Sequence, residues 1–166
     1  MHKRGQLTSM DFIGSVVVFM LLMIGIISFW NVYGLRFNAN LEQEELTLKI
    51  VKITDVFIQN QGVPTGWNET NVAVIGLVNS DRKLDEDKLS SFKNMTYDNI
   101  KELLNIEAYE FYFRVIDTNG ALIKANGQFI EIGNLPDFDV KNIIKIRRIA
   151  LYGIQQVIVE FSMWKK

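Results

Sequence analysis

The chain has no cysteine and a single histidine, His2, among its 166 residues. Without cysteine, disulfide bonds and thiolate metal sites are excluded. With one histidine near the N-terminus, neither a zinc site nor a relay between a nucleophile and a histidine has the side chains it needs. We therefore predict no catalytic, cofactor-binding or metal-binding residues, and we expect that the protein is not an enzyme.

Positive and negative side chains nearly balance, and the formal net charge is −1. A nucleic-acid-binding protein would show a strongly basic face, so no nucleic-acid partner is expected. The acidic run Asp85-Glu86-Asp87 lacks the alternating oxygen ligands of an EF-hand calcium loop. A solvated helix start, favoured by the helix dipole, is the better interpretation of this run.

Formal charges are also missing from Phe12 to Val32, inside an apolar stretch that runs from Gln6 to Tyr33. A helix of about 21 residues rises just over 30 Å, which is enough to cross the hydrocarbon core of a bilayer. Trp30 and Tyr33 stand at its far end, where amphipathic aromatic rings favour the membrane interface. The sequence therefore predicts a transmembrane helix over residues 6–33.

The segment before this helix, residues 1–5, is a short basic leader. A secretory signal peptide has a shorter apolar core, about 7–15 residues, followed by a small-residue cleavage site that this chain lacks. The helix is therefore predicted to remain in the protein. Lys3 and Arg4 precede it and Arg36 alone follows closely, so the positive-inside rule places the N-terminus in the cytoplasm and the remainder outside the cell.

Asp11, at the start of the apolar run, has two interpretations. It is either an N-terminal helix charge at the level of the lipid headgroups, where the helix dipole favours it, or the partner of a cation on a neighbouring chain. The residues do not decide between them.

The N-terminal motif resembles the class III signal peptide of archaeal type IV pilin-like proteins. It consists of basic residues, Gly5-Gln6, a short polar spacer, the pair Asp11-Phe12 and the apolar helix. The resemblance implies that a prepilin peptidase cleaves between Gly5 and Gln6, and that the helix then packs in the core of a filament. In that family the acid is usually the fifth residue of the mature chain, whereas Asp11 would be the sixth.

A second helical segment, residues 34–59, is predicted to continue the first as an amphipathic stalk. An apolar stripe falls at helical spacing, and no proline occurs before Pro64, so one helix from about Thr8 to about Gln59 is allowed. We expect the stripe to pack against the domain that follows. Its residues are Leu46, Ile50, Ile53 and Phe57.

Residues 60–166 are predicted to form an α+β head domain. The apolar run 72–78 predicts a buried strand. Residues 81–105 are predicted to form two helices, with Thr96 capping the second. Residues 109–116 alternate with period two and predict a strand with an aromatic face. Segments 121–124 and 128–132 extend the sheet pattern, and 143–152 and 156–164 flank Gly153 as a final hairpin. The expected fold class is α+β, with the helical stripe covering an antiparallel sheet of about four or five strands.

The head also resembles, more weakly, the outer domains of archaeal pilin-like proteins. The resemblance is carried by VIGL, KL..F.NMTY..IKELLNI, the strand and turn EFYFRVID-NG, and RRIALY followed by a closing strand that ends in Trp164. It names a class of molecule and no activity.

Two N-x-T sequons, at Asn68 and Asn94, are candidate N-glycosylation sites on the side predicted to lie outside the cell. A small basic group, Lys145, Arg147 and Arg148, lies on one predicted strand, with Arg148 on the opposite face from the other two. An exposed charged strand is the default interpretation, and a contact with a neighbouring subunit or a surface polymer is the alternative.

Two functions remain open from the sequence. The first is a structural pilin-like subunit, either major or minor, that assembles through its N-terminal helix into a surface filament. Its expected partners are the membrane, the prepilin peptidase and other pilin-like subunits. The second is a single-pass, uncleaved, membrane-anchored module that binds a ligand outside the cell.

Overall fold

The computed structural model describes the backbone of residues 4–137, 139–140 and 142–165, and the side chains of the same ranges except 4–10 and 35–42. The leader residues 1–3 lie outside the described residues. Two compact units divide the chain, Met1–Gln43 and Glu44–Lys166. The fold is α+β, as predicted from the sequence.

Within the first unit the described chain is entirely helical and belongs to α1, which begins at Arg4 and ends at Gln59. The segment Asp11–Gly34 is 24 residues long and apolar enough to cross a membrane, and none of it is buried inside the protein. The predicted membrane-length helix is therefore present near the N-terminus. An unpacked apolar helix in water exposes surface that a bilayer or another helix would cover.

The second unit contains the end of α1, two short helices and a mixed sheet. The helices are α2 (Glu86–Asn94) and α3 (Tyr97–Leu104). The strands in chain order are β1 (Val78–Ser80), β2 (Lys83–Leu84), β3 (Tyr109–Asp117), β4 (Lys124–Ala125), β5 (Gln128–Phe129), β6 (Glu131–Gly133), β7 (Ile144–Tyr152) and β8 (Gln155–Lys165).

Six strands form the main sheet in the order β1-β2-β7-β8-β3-β6, and β4 pairs with β5 in a separate ribbon. All pairs are antiparallel except β2 with β7. The predicted hairpin around Gly153 is confirmed as β7 and β8, with Tyr152 opposite Gln155. Gly153 has a φ of 62°, a conformation that glycine adopts without steric cost.

The predicted apolar stripe of α1 covers one face of this sheet. Leu46, Ile50, Ile53 and Phe57 are all buried. The Phe57 ring stands edge-on to those of Phe92, Phe113 and Phe161, with centroids 5.5, 5.7 and 5.7 Å away. Such edge-to-face contacts stabilise the fold beyond the stabilisation that comes from burying the rings. Phe57 therefore joins α1, α2 and the neighbouring strands β3 and β8 in a single core.

The strand predicted over residues 72–78 is wrong except at its last residue, because β1 begins only at Val78. Ile75 and Leu77 are buried as expected, but their segment makes other hydrogen bonds. The Leu77 amide donates to the Phe57 carbonyl at 3.0 Å, and the Trp67 indole donates to the Gly76 carbonyl at 2.8 Å. A short apolar run predicts that its side chains are buried, but it does not predict which backbone groups form hydrogen bonds with it.

Three other expectations are corrected. The helix start predicted at Asp85-Glu86-Asp87 is confirmed, since Asp85 is the N-cap of α2. The helical region predicted from Asp81 is wrong before that point, because Lys83 and Leu84 pair with β7. The segment 128–132 is divided, since β5 pairs with β4 whereas β6 pairs with β3. The main sheet has six strands where four or five were expected. Each error involves a strand of only two or three residues, too short to show a period.

Candidate functional site

The membrane-length segment of α1 carries a single charged residue, Asp11, at its start. Asp11 is exposed, and its backbone carbonyl accepts a hydrogen bond from the Ser15 hydroxyl at 2.7 Å. The same hydroxyl lies 3.0 Å from the Phe12 carbonyl. Ser15 thus satisfies its own polar group within the helix, which is the arrangement that apolar surroundings require.

The bond between Gly5 and Gln6 lies in the first turn of α1, which begins at Arg4. Helix ends fray, so a bond in the first turn is more easily extended than one in the helix interior. The side chains of these two residues lie outside the described part of the chain. Processing at Gly5-Gln6 stays a prediction.

Both sequon asparagines are exposed. The side-chain carbonyl of Asn68 accepts hydrogen bonds from the Thr70 amide at 3.0 Å and from the Thr70 hydroxyl at 2.7 Å, which closes a local turn. Asn94 is the last residue of α2, and its sequon threonine, Thr96, is the predicted N-cap of α3. The cap is confirmed, because the Thr96 hydroxyl accepts from the Asn99 amide. Glycosylation at either site stays a prediction.

A row of four charged side chains of alternating sign crosses the sheet on the face opposite α1. Cross-strand register places Glu131, Arg114, Glu160 and Arg147 side by side on β6, β3, β8 and β7. Alternation along each strand puts these side chains on the opposite face from Phe113 and Phe161, which contact α1. We call this side of the main sheet the outer face.

Glu160 is the centre of the row, with its side chain only 1% exposed. One carboxylate oxygen lies 2.9 Å from Arg114 Nε and 3.4 Å from Lys145 Nζ, and the other lies 2.7 Å from Arg147 Nε. Burial alone would raise the pKa of the Glu160 carboxyl. The hydrogen bonds from Arg147 and Arg114, together with the nearby charges, outweigh burial and hold this pKa below its ordinary value.

The neighbouring acid of the row has a different partner. The Glu131 carboxylate accepts a hydrogen bond from the Tyr112 hydroxyl. Burial, followed by this hydrogen bond, raises the pKa of Tyr112 to about 12. Three basic groups, Arg114, Lys145 and Arg147, therefore surround one carboxylate, and the outer face has an excess of positive charge at this point.

The predicted division of the basic group between two faces is confirmed by the register of β7 and β8. Arg148 projects on the side of α1, where its guanidinium lies 2.8 Å from the Asp55 carboxylate. Sequence reasoning missed Glu160, which unites Lys145 and Arg147 with Arg114. The available signal was one acid within an otherwise uncharged strand, residues 155–164.

A buried lysine, Lys88, was also missed. Its amine donates to the carbonyls of Gln61 and Val78 at 2.7 and 2.8 Å. Burial lowers the pKa of Lys88, and the nearby Asp85 opposes that shift. The two carbonyls belong to the loop after α1 and to β1, so Lys88 ties both segments to α2.

A cleft in the second unit has a volume of about 1260 Å³ and lies beside α3 and the ends of β3 and β8. Its lining combines aromatic rings, acidic groups and lysines, among them Tyr97, Asp98, Lys101, Asp137 and Trp164. The Tyr97 hydroxyl donates to Glu110 at 2.7 Å, and Lys101 lies 3.1 Å from the same carboxylate. The lining is therefore both polar and aromatic.

Among the residues whose side chains the structure describes, no group of three or more histidine, cysteine, aspartate or glutamate residues is arranged to hold a metal ion.

The chain was compared with models of protein families, with curated proteins and with solved structures, and none of the three comparisons found a match.

Proposed function

We propose that this protein is a structural, pilin-like subunit that assembles through the apolar part of α1 into a surface filament. The observation that carries the proposal is the coexistence, in one helix, of two segments with opposite environments. The segment Asp11–Gly34 is not buried inside the protein, whereas Leu46, Ile50 and Phe57 are buried in the core of an α+β unit.

The first segment suits two successive environments. In a bilayer, about 24 apolar residues span the hydrocarbon and leave no backbone group unsatisfied. In a filament, the same surface would be covered by equivalent helices of sister subunits. The small residues Gly14, Ser15 and Gly25 favour close helix approach, and an added Cβ at Gly14 or Gly25 would meet no atom within 4 Å in the isolated chain.

The proposed topology keeps the N-terminus in the cytoplasm and the α+β unit outside the cell. Processing between Gly5 and Gln6 by a prepilin peptidase would leave Gln6 as the first residue. Asp11 would then be available to pair with a cation on a neighbouring subunit. Exposed Asn68 and Asn94 would be candidate glycosylation sites. The proposed role is structural, and it involves no catalytic group.

The experiment is intact-mass and N-terminal analysis of the full chain expressed with its native membrane peptidase. The expected product starts at Gln6 and is found in the filament fraction sheared from cells. A Gly5→Val variant is the matched control, because a β-branched residue at the scissile position should block processing and retain the leader. A wild-type chain that keeps Lys3 and Arg4 and stays out of sheared filaments would overturn the proposal.

The cleft of about 1260 Å³ favours a second candidate function, that of an anchored binding module. The module would retain its leader and use Tyr97 and Trp164 to contact a polar ligand. Soluble cell-surface polysaccharide from the host cell serves as the probe, with nuclear magnetic resonance of the tryptophan indole groups as the readout. Saturable shifts that a Tyr97→Ala variant loses would support this second function.

A further inference from the structure

The outer face carries exposed apolar side chains next to its basic row. Ile149 and Leu151 on β7 are 65% and 41% exposed, and Ile154, at the turn into β8, is fully exposed. Ile158 of β8 lies opposite Ile149 in the register and is half-buried. We call Ile149, Leu151, Ile154 and Ile158 the apolar patch. Clustered exposed aliphatic residues on a sheet face mark a surface that a partner covers.

The charge of the outer face determines what charge a partner surface must carry. Arg147 precedes Ile149 by two positions on the same strand face, and its side chain is 59% exposed although it reaches Glu160. Lys145, two positions further back, is 46% exposed. The Glu160 carboxylate is buried among three cations, so the exposed charges of β7 on this face are basic. A complementary surface must therefore combine acidic groups with an apolar side chain.

The second unit itself presents such a surface at its start. Glu44, Glu45 and Leu48 of α1 are exposed, with Leu48 at 56%. Leu48 lies about 200° around the helix from Leu46, which is buried, so it occupies the face turned away from the sheet. Neither Glu44 nor Glu45 takes part in an ion pair with any residue whose side chain is described.

The spacings of the two surfaces also agree. Side chains at positions i and i+4 of a helix are about 5–6 Å apart, which applies to Glu44 and Leu48. Side chains two positions apart on one strand face are separated by about 6.6 Å, which applies to Arg147 and Ile149. An acid and a leucine on the helix can therefore meet an arginine and an isoleucine on the strand in a single register.

We propose that the outer face of one copy, through Arg147 and the apolar patch, docks on residues Glu44, Glu45 and Leu48 of a second copy. The contact joins two different surfaces, so it is heterologous and leaves a free surface of each kind at the ends of the assembly. Heterologous contacts that do not close into a ring propagate into open polymers. This inference rests on the proposed function and supplies the contact between the outer domains of successive subunits.

Cysteine cross-linking tests the contact, because the native chain has no cysteine to give a background. Leu48→Cys and Ile149→Cys variants of the full chain, carrying different tags, are co-expressed with the native assembly machinery and then oxidised. The expected product is a disulfide-linked dimer that carries both tags. The matched control pairs Leu48→Cys with Phe129→Cys, since Phe129 is also about half exposed (50%) but belongs to the separate ribbon.

Charge reversal gives an independent readout. Glu44→Arg with Glu45→Arg should lower the yield of the cross-linked dimer at least about 10-fold, the size expected when a central interface contact is replaced by repulsion. Glu107→Arg, at an exposed position beside α3, is the control and should leave the yield unchanged. Because all three glutamates are exposed, the variants should fold like the native chain, which circular dichroism in detergent would verify.

The outcomes separate this inference from the proposed function. Filaments that contain the protein but give no mixed dimer above the control overturn the inference alone. A mixed dimer in membranes without any filament supports the contact and overturns the filament. Dominant dimers of Ile149→Cys with itself would show a symmetric contact between two apolar patches and overturn the inference.

Discussion

Arg147 Nε on β7 lies 2.7 Å from the Glu160 carboxylate on β8, and the two residues are directly opposite in the strand register. The carboxylate is buried while the guanidinium remains 59% exposed. The pair therefore joins a carboxylate that is shielded from solvent to a guanidinium that solvent still reaches. Hydrogen bonds from Arg147 and Arg114 keep the buried charge ionised.

The first prediction concerns the acid sensitivity of this cluster. The pKa of Glu160 is lower in the folded than in the unfolded chain, so its ionised form stabilises the fold above the unfolded pKa, about 4.3. The contribution is lost as the pH falls through the lower folded-state pKa. Glu160→Gln should lower the free energy of unfolding by about 1–3 kcal/mol at pH 7, because three cations lose a charged acceptor.

The measurement is denaturant unfolding of the full chain in detergent at pH 7 and pH 3. The difference between wild type and Glu160→Gln should shrink at the lower pH. Glu69→Gln, in an exposed loop, is the control and should match wild type at both values. An equal deficit for Glu160→Gln at pH 7 and pH 3 would contradict the role assigned to the ionised carboxylate.

The second prediction concerns the ring at the centre of the core. Phe57→Ala should destabilise the second unit by about 3–5 kcal/mol, because it leaves a cavity among Phe92, Phe113 and Phe161. Thermal unfolding followed by near-ultraviolet circular dichroism measures the change. Phe129→Ala, at a half-exposed ring, should cost under about 1 kcal/mol, and similar losses in both variants would disprove the central position of Phe57.

The third prediction separates the two roles of Thr96. Thr96→Ala removes the N-cap of α3 and should cost about 1 kcal/mol, whereas Thr96→Ser keeps a capping hydroxyl and should cost little. The measurement is the free energy of unfolding of recombinant protein that carries no glycan. In that protein, the substitutions affect the helix cap and cannot act through glycosylation at the sequon. Equal stability of the alanine and serine variants would show that the hydrogen bond to Asn99 contributes nothing.

The fourth prediction concerns the membrane. Val18→Arg places a charge inside the segment Asp11–Gly34, about a third of the way along it. It should oppose insertion, by up to the roughly 2.5–3.5 kcal/mol that an arginine costs at the centre of a membrane helix. The readout is the fraction of the chain that resists alkaline extraction from membranes. Val18→Leu should behave like wild type. If the arginine variant stays fully resistant, the segment does not span the hydrocarbon core.

Several elements were predictable because their signals are local. The absence of charge from Phe12 to Val32 identifies a membrane-length helix, and helical spacing identifies the stripe from Leu46 to Phe57. Alternation of side chains with a period of two residues identifies β3, where Phe111, Phe113 and Val115 are fully buried. A threonine before a helical stretch identifies the cap at Thr96. Each of these features is set by residues within one or a few turns of chain.

The sheet order and the outer face were decided by tertiary structure. Lys83 and Leu84 pair in parallel with β7, nearly 70 positions away. A strand of two residues is too short to show a local pattern that would predict this pairing. Glu160 reads as one acid in a strand, and it becomes the buried centre of a charged row only when Arg114 and Arg147 flank it. The sequence by itself determined which segments are helical, apolar or alternating. Cross-strand register determined which charges meet, because register depends on contacts between residues far apart in the chain.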